Sequence, residues 1–457
     1  MTSDDDLLRR AAELALDYVE TIDDRPVAPS PDALAALERF DEALPDLGLD
    51  AASTLDLLAG AGGGATMAST GRQYYGFVNG ATFPIALGTS MLVNAWDQNA
   101  ALPVMSPVAA AIHDVAGRWL VELLGLPSGT DVAFVTGATV ANASCLAAAR
   151  DTLLVDVGWD AQRDGLFGAP PINVVIGAQA HSTLKKSLGL VGLGRERVVT
   201  VPADAQGRIR SDRLPDPATL DGPVLLCAQA GEVNTGAFDP FDELADWLGH
   251  FEHRWLHVDA AFGLWALADP TRSELVTGLD RADSWATDGH KWLNVTYDCG
   301  IALVHRDGAL RRTFSAVAGY LPPESGFEAM HHTPQSSQRA RQIEVWAVLR
   351  TLGRDGVAEL VQQASDCAVA LGERLRDAGF EILNDVVLNQ VLVRFRDPAT
   401  TERLIEAIHT DGRVWCGPTK WHGATAMRIS VSSWKTTIAD AKTAADVIAE
   451  CADQLSG

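Results

Sequence analysis

Lys291 lies in Ser284-Trp285-Ala286-Thr287-Asp288-Gly289-His290-Lys291-Trp292-Leu293, among aromatic and aliphatic neighbours. Lysine is scarce in this chain, occurring only at 185, 186, 291, 420, 435 and 442. An isolated buried ammonium is expensive, so such a lysine gives up its proton or finds a partner. A desolvated lysine amine is what Schiff-base chemistry requires. The alternative is a lysine that runs its stem over the apolar surface and keeps its head in water.

Three other segments carry chemistry. In His257-Val258-Asp259-Ala260-Ala261-Phe262-Gly263, Asp259 ends an apolar strand, where a carboxylate is costly unless paired. A protonated pyridine nitrogen would be a fitting partner, and the ring would then accept electrons from a substrate carbanion. Asp259 could instead cap a helix starting at Ala260. In Phe134-Val135-Thr136-Gly137-Ala138-Thr139-Val140-Ala141-Asn142, an apolar strand runs through small residues into a helix. The free N–H groups of that helix start, with the Thr139 hydroxyl, suit a phosphate; a plain capped turn is the alternative. His181, in Ala178-Gln179-Ala180-His181-Ser182-Thr183, could stack on a flat ring and exchange protons, or be a bonded structural residue. A phosphate cradle, a stacking imidazole, a strand-end carboxylate and a buried lysine, in that order, describe a site for pyridoxal phosphate (PLP).

The elements that must position these groups form an alternating pattern. Short apolar strands are expected at 131–135, 172–176, 224–228, 254–258 and 300–304, with helices at 139–154, 182–190 and 241–253 between them. Ser106-Pro107 opens a helix that Gly125 ends. Strands separated by helices imply an α/β fold whose mainly parallel sheet is covered on both faces. Ligands then bind at the carboxyl ends of the strands. Upstream, residues 7–22 have helical apolar spacing, 32–40 form a second short helix behind Ser30-Pro31, and the glycine-rich stretch 59–71 reads as a link or tight loop. Downstream, helices at 336–352 and 355–378, a strand at 390–396, a helix at 400–411, a strand at 426–432 and a last helix at 437–454 suggest a smaller α+β domain. The expected division is 1–65 (helical, dimer-forming), 66–330 (large domain) and 331–457 (small domain).

Composition removes other classes of function. The net charge is −24, which disfavours nucleic acid and anionic membrane surfaces as partners. No apolar run is long enough to span a bilayer, and the acidic start Met1-Thr2-Ser3-Asp4-Asp5-Asp6 has no signal-peptide character, so a cytoplasmic location is expected. Six scattered cysteines without a C-x-x-C pair suit reduced thiols. His250, His253, His257 and Asp259 crowd into ten residues but straddle a helix and a strand, a poor metal geometry, so no metal is expected. Gly189, Gly192 and Gly194 have the wrong order for a dinucleotide fingerprint.

The paired segments His257-Val258-Asp259-Ala260-Ala261-Phe262 and Gly289-His290-Lys291-Trp292-Leu293 resemble the group II PLP-dependent amino-acid decarboxylases. That family includes the aromatic amino-acid, glutamate, histidine and tyrosine decarboxylases. The likeness runs from about Asp24-Arg25-Pro26 to Trp434-Lys435-Thr436-Thr437, and Trp96-Asp97-Gln98-Asn99 and Leu388-Asn389-Gln390-Val391 look like bacterial members. The resemblance implies the PLP fold type I of aspartate aminotransferase, a homodimer with the active site at the subunit interface, and decarboxylation of an L-amino acid to an amine. It implies that Lys291 carries PLP as a Schiff base, that Asp259 pairs with the ring nitrogen and that His181 stacks on the ring. It places Ala138, Thr139 and His290 at the phosphate, Asp288 near it, Ala261 and Asn234 beside the cofactor, and Phe77, Val78 and Asn79 on the substrate wall. Phe77, Val78 and Trp96 would tolerate an apolar or aromatic substrate side chain, and no arginine pair announces a side-chain carboxylate.

Three departures stand out. The loop Gly326-Phe327-Glu328-Ala329-Met330-His331-His332-Thr333-Pro334-Gln335 lacks the tyrosine that many relatives use as a proton donor, and His332 (or His331) stands in its place. An imidazolium could supply that proton, or its absence could divert the reaction to oxygen and an aldehyde. Val140 replaces a glutamate. Asp288 replaces an asparagine or serine and is expected to turn its charge away from the phosphate.

Overall fold

A computed structural model describes residues 4–316 and 326–455. The large sheet contains β1 (Asp131–Val135), β2 (Asn173–Gly177), β3 (Val199–Val201), β4 (Val224–Gln229), β5 (Arg254–Asp259), β6 (Ser284–Asp288) and β7 (Gly300–Val304). Their spatial order is β1-β7-β6-β5-β4-β2-β3. Strands β3, β2, β4, β5 and β6 pair in parallel, and β7 runs antiparallel to both β1 and β6.

The helices that bear on the site are α1 (Asp4–Thr21), α2 (Pro84–Trp96), α3 (Pro107–Leu123), α4 (Ala138–Asp156), α5 (Ser182–Leu190), α6 (Phe241–Leu248), α7 (Gln342–Asp377), α8 (Pro398–Asp411) and α9 (Ile438–Gln454). Alternate side chains of each strand feed two cores. On β4, Leu226 and Ala228 join the core shared with α3, α6 and α7, while Leu225 and Cys227 join the one built on α4 and α5. A strand covered on both faces can be apolar throughout, and β4 is buried at every position. The smaller sheet, β10-β11-β9-β8, is antiparallel and contains β8 (Glu381–Ile382), β9 (Gln390–Arg394), β10 (Gly417–Trp421) and β11 (Ala424–Ser430).

Several boundaries differ from expectation. The glycine run is no loose link: the chain is helical over Ala51–Leu57 and Leu58–Gly62. Asp50 caps that helix through Ser53, and the Arg25 guanidinium closes its far end on the carbonyls of Gly63 and Gly64. The helix expected at 241–253 stops at Leu248, with the Gly249 N–H still bonded to the Ala245 carbonyl. The two expected helices at 336–352 and 355–378 form α7, with Gly353 at φ 63° and ψ −171° breaking it between them. The first of them begins at Gln342 rather than 336.

One packing constraint sets the site's architecture. A Cβ built on Gly300 in β7 would lie 2.4 Å from the Cα of Gly137, so two backbones touch where β1 hands over to α4. Gly64, by contrast, has nothing within 4 Å of such a Cβ. Gly300→Ala is therefore expected to destabilise the fold by about 3 kcal/mol through overpacking. Gly64→Ala, inside a helical turn, should stabilise it by about 0.5–1 kcal/mol. Urea unfolding of both variants checks the contrast.

Candidate active site

The carboxyl ends of β1, β2, β4, β5 and β6 open on one cavity of about 390 Å³. Ala138, Thr139, His181, Asp259, Ala261, Asp288, His290 and Lys291 all line it, with Phe77 and Val78 at its wall. The four separately read segments therefore meet in space.

Lys291 follows β6 in the turn that leads to Trp292 and Leu293. Its Nζ lies 3.0 Å from Oδ2 of Asp288. Asp288 does not turn away as expected: its Oδ1 accepts the backbone N–H of Ala138 at 2.6 Å. The reason is local. Gly137, which precedes α4, offers no side-chain cap, and the Asp288 carboxylate is the acceptor at hand. His290 accepts the N–H of Cys299 on its Nδ1 at 3.1 Å, which leaves the proton on Nε2, 3.6 Å from Oδ1 of Asp288. Tyr297 stacks on the His290 ring at 4.2 Å. Burial lowers the His290 pKa, and the Asp288 charge opposes that shift.

Asp259 ends β5 and is buried. Burial raises its pKa, while the nearby His181 and Lys291 charges work in the other direction. Among the described residues no Lys, Arg or His nitrogen lies within ion-pair distance of it. The adjacent Asn142 Nδ2 is buried without a hydrogen-bond partner. A buried carboxylate lacking a direct cation is the complement of a protonated ring nitrogen. Together with the helix head at Ala138 and a lysine in the same cavity, the donor set fits PLP.

His181 sits at the N-terminus of α5. The Thr183 backbone N–H donates to its Nδ1 at 3.3 Å, and the Thr183 hydroxyl lies 2.6 Å from the same atom. A backbone N–H can only donate, so Nδ1 accepts and the neutral ring carries its proton on Nε2. Burial lowers the His181 pKa, against the pull of Asp259. Gln229 completes the clamp by accepting the His181 N–H through Oε1 at 3.0 Å. Thr183 and Gln229 were not singled out in the sequence.

Arg428, from β11, also lines the cavity and was also missed. Burial lowers its pKa, and Glu232 is its counter-charge. Its signal was present: an arginine between Met427 and Ile429 in the middle of an apolar strand.

Four expected residues lie elsewhere. Asn234 is turned onto Glu232 (Nδ2 to Oε1, 2.9 Å) and accepts from Thr419 (2.7 Å), because the buried Glu232 carboxylate gathers the surrounding donors. Asn79 accepts from the Tyr297 hydroxyl at 3.0 Å rather than facing the cavity. Trp96 closes α2 outside the cavity lining, where Asp97 takes a left-handed conformation. His332 stacks on Phe327 at 4.4 Å, donates to the Glu328 carbonyl at 3.1 Å and lies near Asp131. Asp131 begins β1, so within this chain His332 stands at the opposite end of the sheet from the cavity. Burial lowers its pKa, which disfavours an imidazolium there. His331 is likewise buried, 3.1 Å from Glu328.

Residues 68–396, well over half of the chain, match the model of the pyridoxal-dependent decarboxylase conserved domain. The chain belongs to this family. Its cofactor is therefore PLP. Among its relatives, the acidic amino acid decarboxylase GADL1 of Bos taurus is 32% identical over 291 residues, which is 61% of this chain. The L-2,4-diaminobutyrate decarboxylase of Rhizobium meliloti (strain 1021) is 31% identical over 325 residues, 68% of this chain. The matched regions span 55% and 63% of those relatives' lengths. The fold matches the crystal structure of Oryza sativa TDC with PLP and tryptamine at a TM-score of 0.91 and 21% identity, over 100% of this chain and 99% of that one. Family membership accounts for the fold type I architecture, with its mainly parallel sheet and smaller antiparallel sheet.

His257, beneath Asp259, supplies a test of the site's foundation. Its Nε2 donates to Oδ1 of Asn142 at 2.7 Å, and its Nδ1 accepts from the Ser284 hydroxyl, 2.9 Å away. Burial pushes its pKa down to about 3. The unfolded chain thus binds a proton that the folded one refuses between about pH 6.5 and 3, so this histidine's contribution to stability falls as pH falls through that window. From pH 7 to 5, wild type is expected to lose roughly 2 kcal/mol more stability than His257→Gln, as read by urea unfolding at the two pH values.

Proposed function

We propose that this protein is a PLP-dependent L-amino-acid α-decarboxylase that releases the amine and CO2. The observation that carries this is the convergence of Lys291, Asp259, His181 and the head of α4 on one cavity. When bound, PLP supplies an electron-withdrawing ring that stabilises the carbanion left as CO2 departs. Lys291 would hold it covalently, Asp259 would keep the ring nitrogen protonated, and His181 would lie on the ring face. Ala138, Thr139 and His290 would hold the phosphate, with Ala261 beside the ring.

The remaining steps belong to the protein's own groups. Arg428 is the cation, other than Lys291, that lines the cavity, so it draws in and orients the substrate carboxylate. Its partly desolvated guanidinium makes that attraction stronger than it would be in water. The His181 Nε2–H and the Lys291 amine are proton-carrying groups on the cavity lining, alongside the His290 Nε2–H at the phosphate end. Phe77, 61% exposed and stacked on Trp415 at 5.3 Å, gives the mouth an apolar face that suits an apolar or aromatic substrate side chain.

A homodimer is part of the proposal. The amino-terminal segment leaves Leu8, Leu16, Leu44, Leu47, Leu49 and Leu58 exposed, and α1 buries none of its residues in this chain. A second copy would cover that surface. The cytoplasm is the compartment proposed. All six cysteines are buried and unpaired, and among the described residues no helix is long and apolar enough to cross a membrane.

One observation favours a second outcome. The segment 326–335 lacks tyrosine and buries both its histidines away from the cavity. If reprotonation is slow, oxygen and water can intercept the carbanion, giving aldehyde, CO2, ammonia and hydrogen peroxide. Mass spectrometry of products from the PLP-loaded protein and a pool of amino acids separates the two: an amine lighter than its precursor by CO2, or an aldehyde with peroxide. Lys291→Ala is expected to lose the Schiff-base absorbance and reduce turnover to background. Arg428→Gln should raise KM about ten- to hundredfold, the worth of a charge-assisted hydrogen bond, with a smaller change in kcat. An unchanged KM would remove Arg428 from substrate binding.

A further inference from the structure

The phosphate seat already contains an anion. Gly137 gives α4 no side-chain cap, so the first N–H of a 19-residue helix is answered by a carboxylate imported from the end of β6. Oδ1 of Asp288 takes the Ala138 N–H at 2.6 Å and lies 3.6 Å from Nε2 of His290, while Oδ2 lies 3.0 Å from Lys291 Nζ. The Ala138 N–H and the His290 Nε2–H are donors that the phosphate would use at the same spot. The helix head attracts either anion, but it cannot serve both at full strength.

The surroundings sharpen the conflict. A phosphate monoester brings about −1.5 to −2 charges at neutral pH. The cations among the described residues lining the cavity are Lys291, already paired with Asp288, and Arg428, which reaches it from β11. Asp288 and His290 both lie beside Gly137: a Cβ there would be 3.6 Å from Oδ1 of Asp288 and 3.4 Å from His290 Cε1, in ordinary contact with each. A neutral asparagine in place of Asp288 would keep the shape, drop the charge and add two donors for the phosphate.

We propose that Asp288 competes with the cofactor's phosphate for the head of α4, so that PLP loads only as this carboxylate yields the Ala138 N–H. Asp288 is thus a built-in brake on cofactor retention. It caps α4 and pairs Lys291 in exchange for a weaker hold on the phosphate. The proposal rests on the PLP assignment and on nothing about the substrate.

The test compares PLP with pyridoxal, which carries the same ring and aldehyde but no phosphate. Dissociation constants for both are measured by tryptophan fluorescence and Schiff-base absorbance on wild type and Asp288→Asn, with no amino acid present. The ratio of the pyridoxal constant to the PLP constant reports what the phosphate contributes. In Asp288→Asn this ratio is expected to rise by about tenfold or more, through tighter PLP binding. A general structural effect of the substitution would move both ligands together and leave the ratio unchanged; that result, or a fall in the ratio, overturns the proposal. If Asp288→Asn does not accumulate in folded form, Asp288→Ser, which also removes the charge, carries the same comparison with the same two outcomes. Because no substrate enters, an error about the amino acid or its product cannot mimic either result.

Discussion

Charge taken out of water governs this structure. Asp259 and Asp288 end adjacent strands in a sheet sealed on both faces, and Lys291 follows within the same turn. Each would be costly alone, so each must find a complement at the strand ends. Asp288 uses Lys291 and the head of α4. Asp259 has Asn142 beside it, and Asn142 is in turn held by His257 and, through it, Ser284 at the start of β6. The polar layer beneath the cavity is therefore a chain of hydrogen bonds that ties α4, β5 and β6 to one another. The apolar cores on either side hold the strands; this layer decides where their ends stand.

Much of that was legible in the sequence. Strand-end Asp259, the small-residue turn before α4 and Lys291 after β6 sit in short segments whose local chemistry is unusual, and they were found for that reason. The parallel strands were legible as apolar runs between helices. β6 was not read as a strand, because Ser284-Trp285-Ala286-Thr287-Asp288 mixes polar and apolar residues; the buried Ser284 and Thr287 are carried by side-chain hydrogen bonds that periodicity does not reveal. β3 and β8 are too short to leave a pattern. The glycine-rich stretch 59–71 looked like a link because glycine is a poor helix former, yet its first part continues the helix that Asp50 caps, and Arg25 closes the far end from 38 residues away in sequence, outside any local window.

The site residues that went unread share a cause. Arg428 comes from the small sheet and reaches the cavity only through tertiary packing. Gln229 matters through the backbone of His181, and Thr183 through its ring. Conversely, Asn234, Asn79, Trp96 and His332 were placed by position in a motif, and their side chains follow nearer partners: Glu232, Tyr297, the end of α2 and Phe327. Asp288 shows the same point in reverse. Its charge suggested that it should turn away from an anion site, but an uncapped helix start was the stronger local demand.

Asn294 adds a consequence about time. Its Oδ1 accepts the N–H of Ala81 and of Trp434, and its Nδ2 donates to the carbonyls of Trp292 and Ser432. One amide thus joins the wall that carries Phe77 and Val78, the turn after Lys291 and the strand end beyond Arg428. Ala81, Ser432 and Trp434 lie more than 130 residues from it, on one side or the other, so closing the knot requires long loops to be closed first. The large sheet can form from its own neighbouring strands, whereas the cavity's wall and floor lock together only when residues near position 434 have emerged and docked. During synthesis the chemistry of this protein is therefore among the last features to mature, which keeps a reactive lysine unassembled until the rest of the fold is there to contain it.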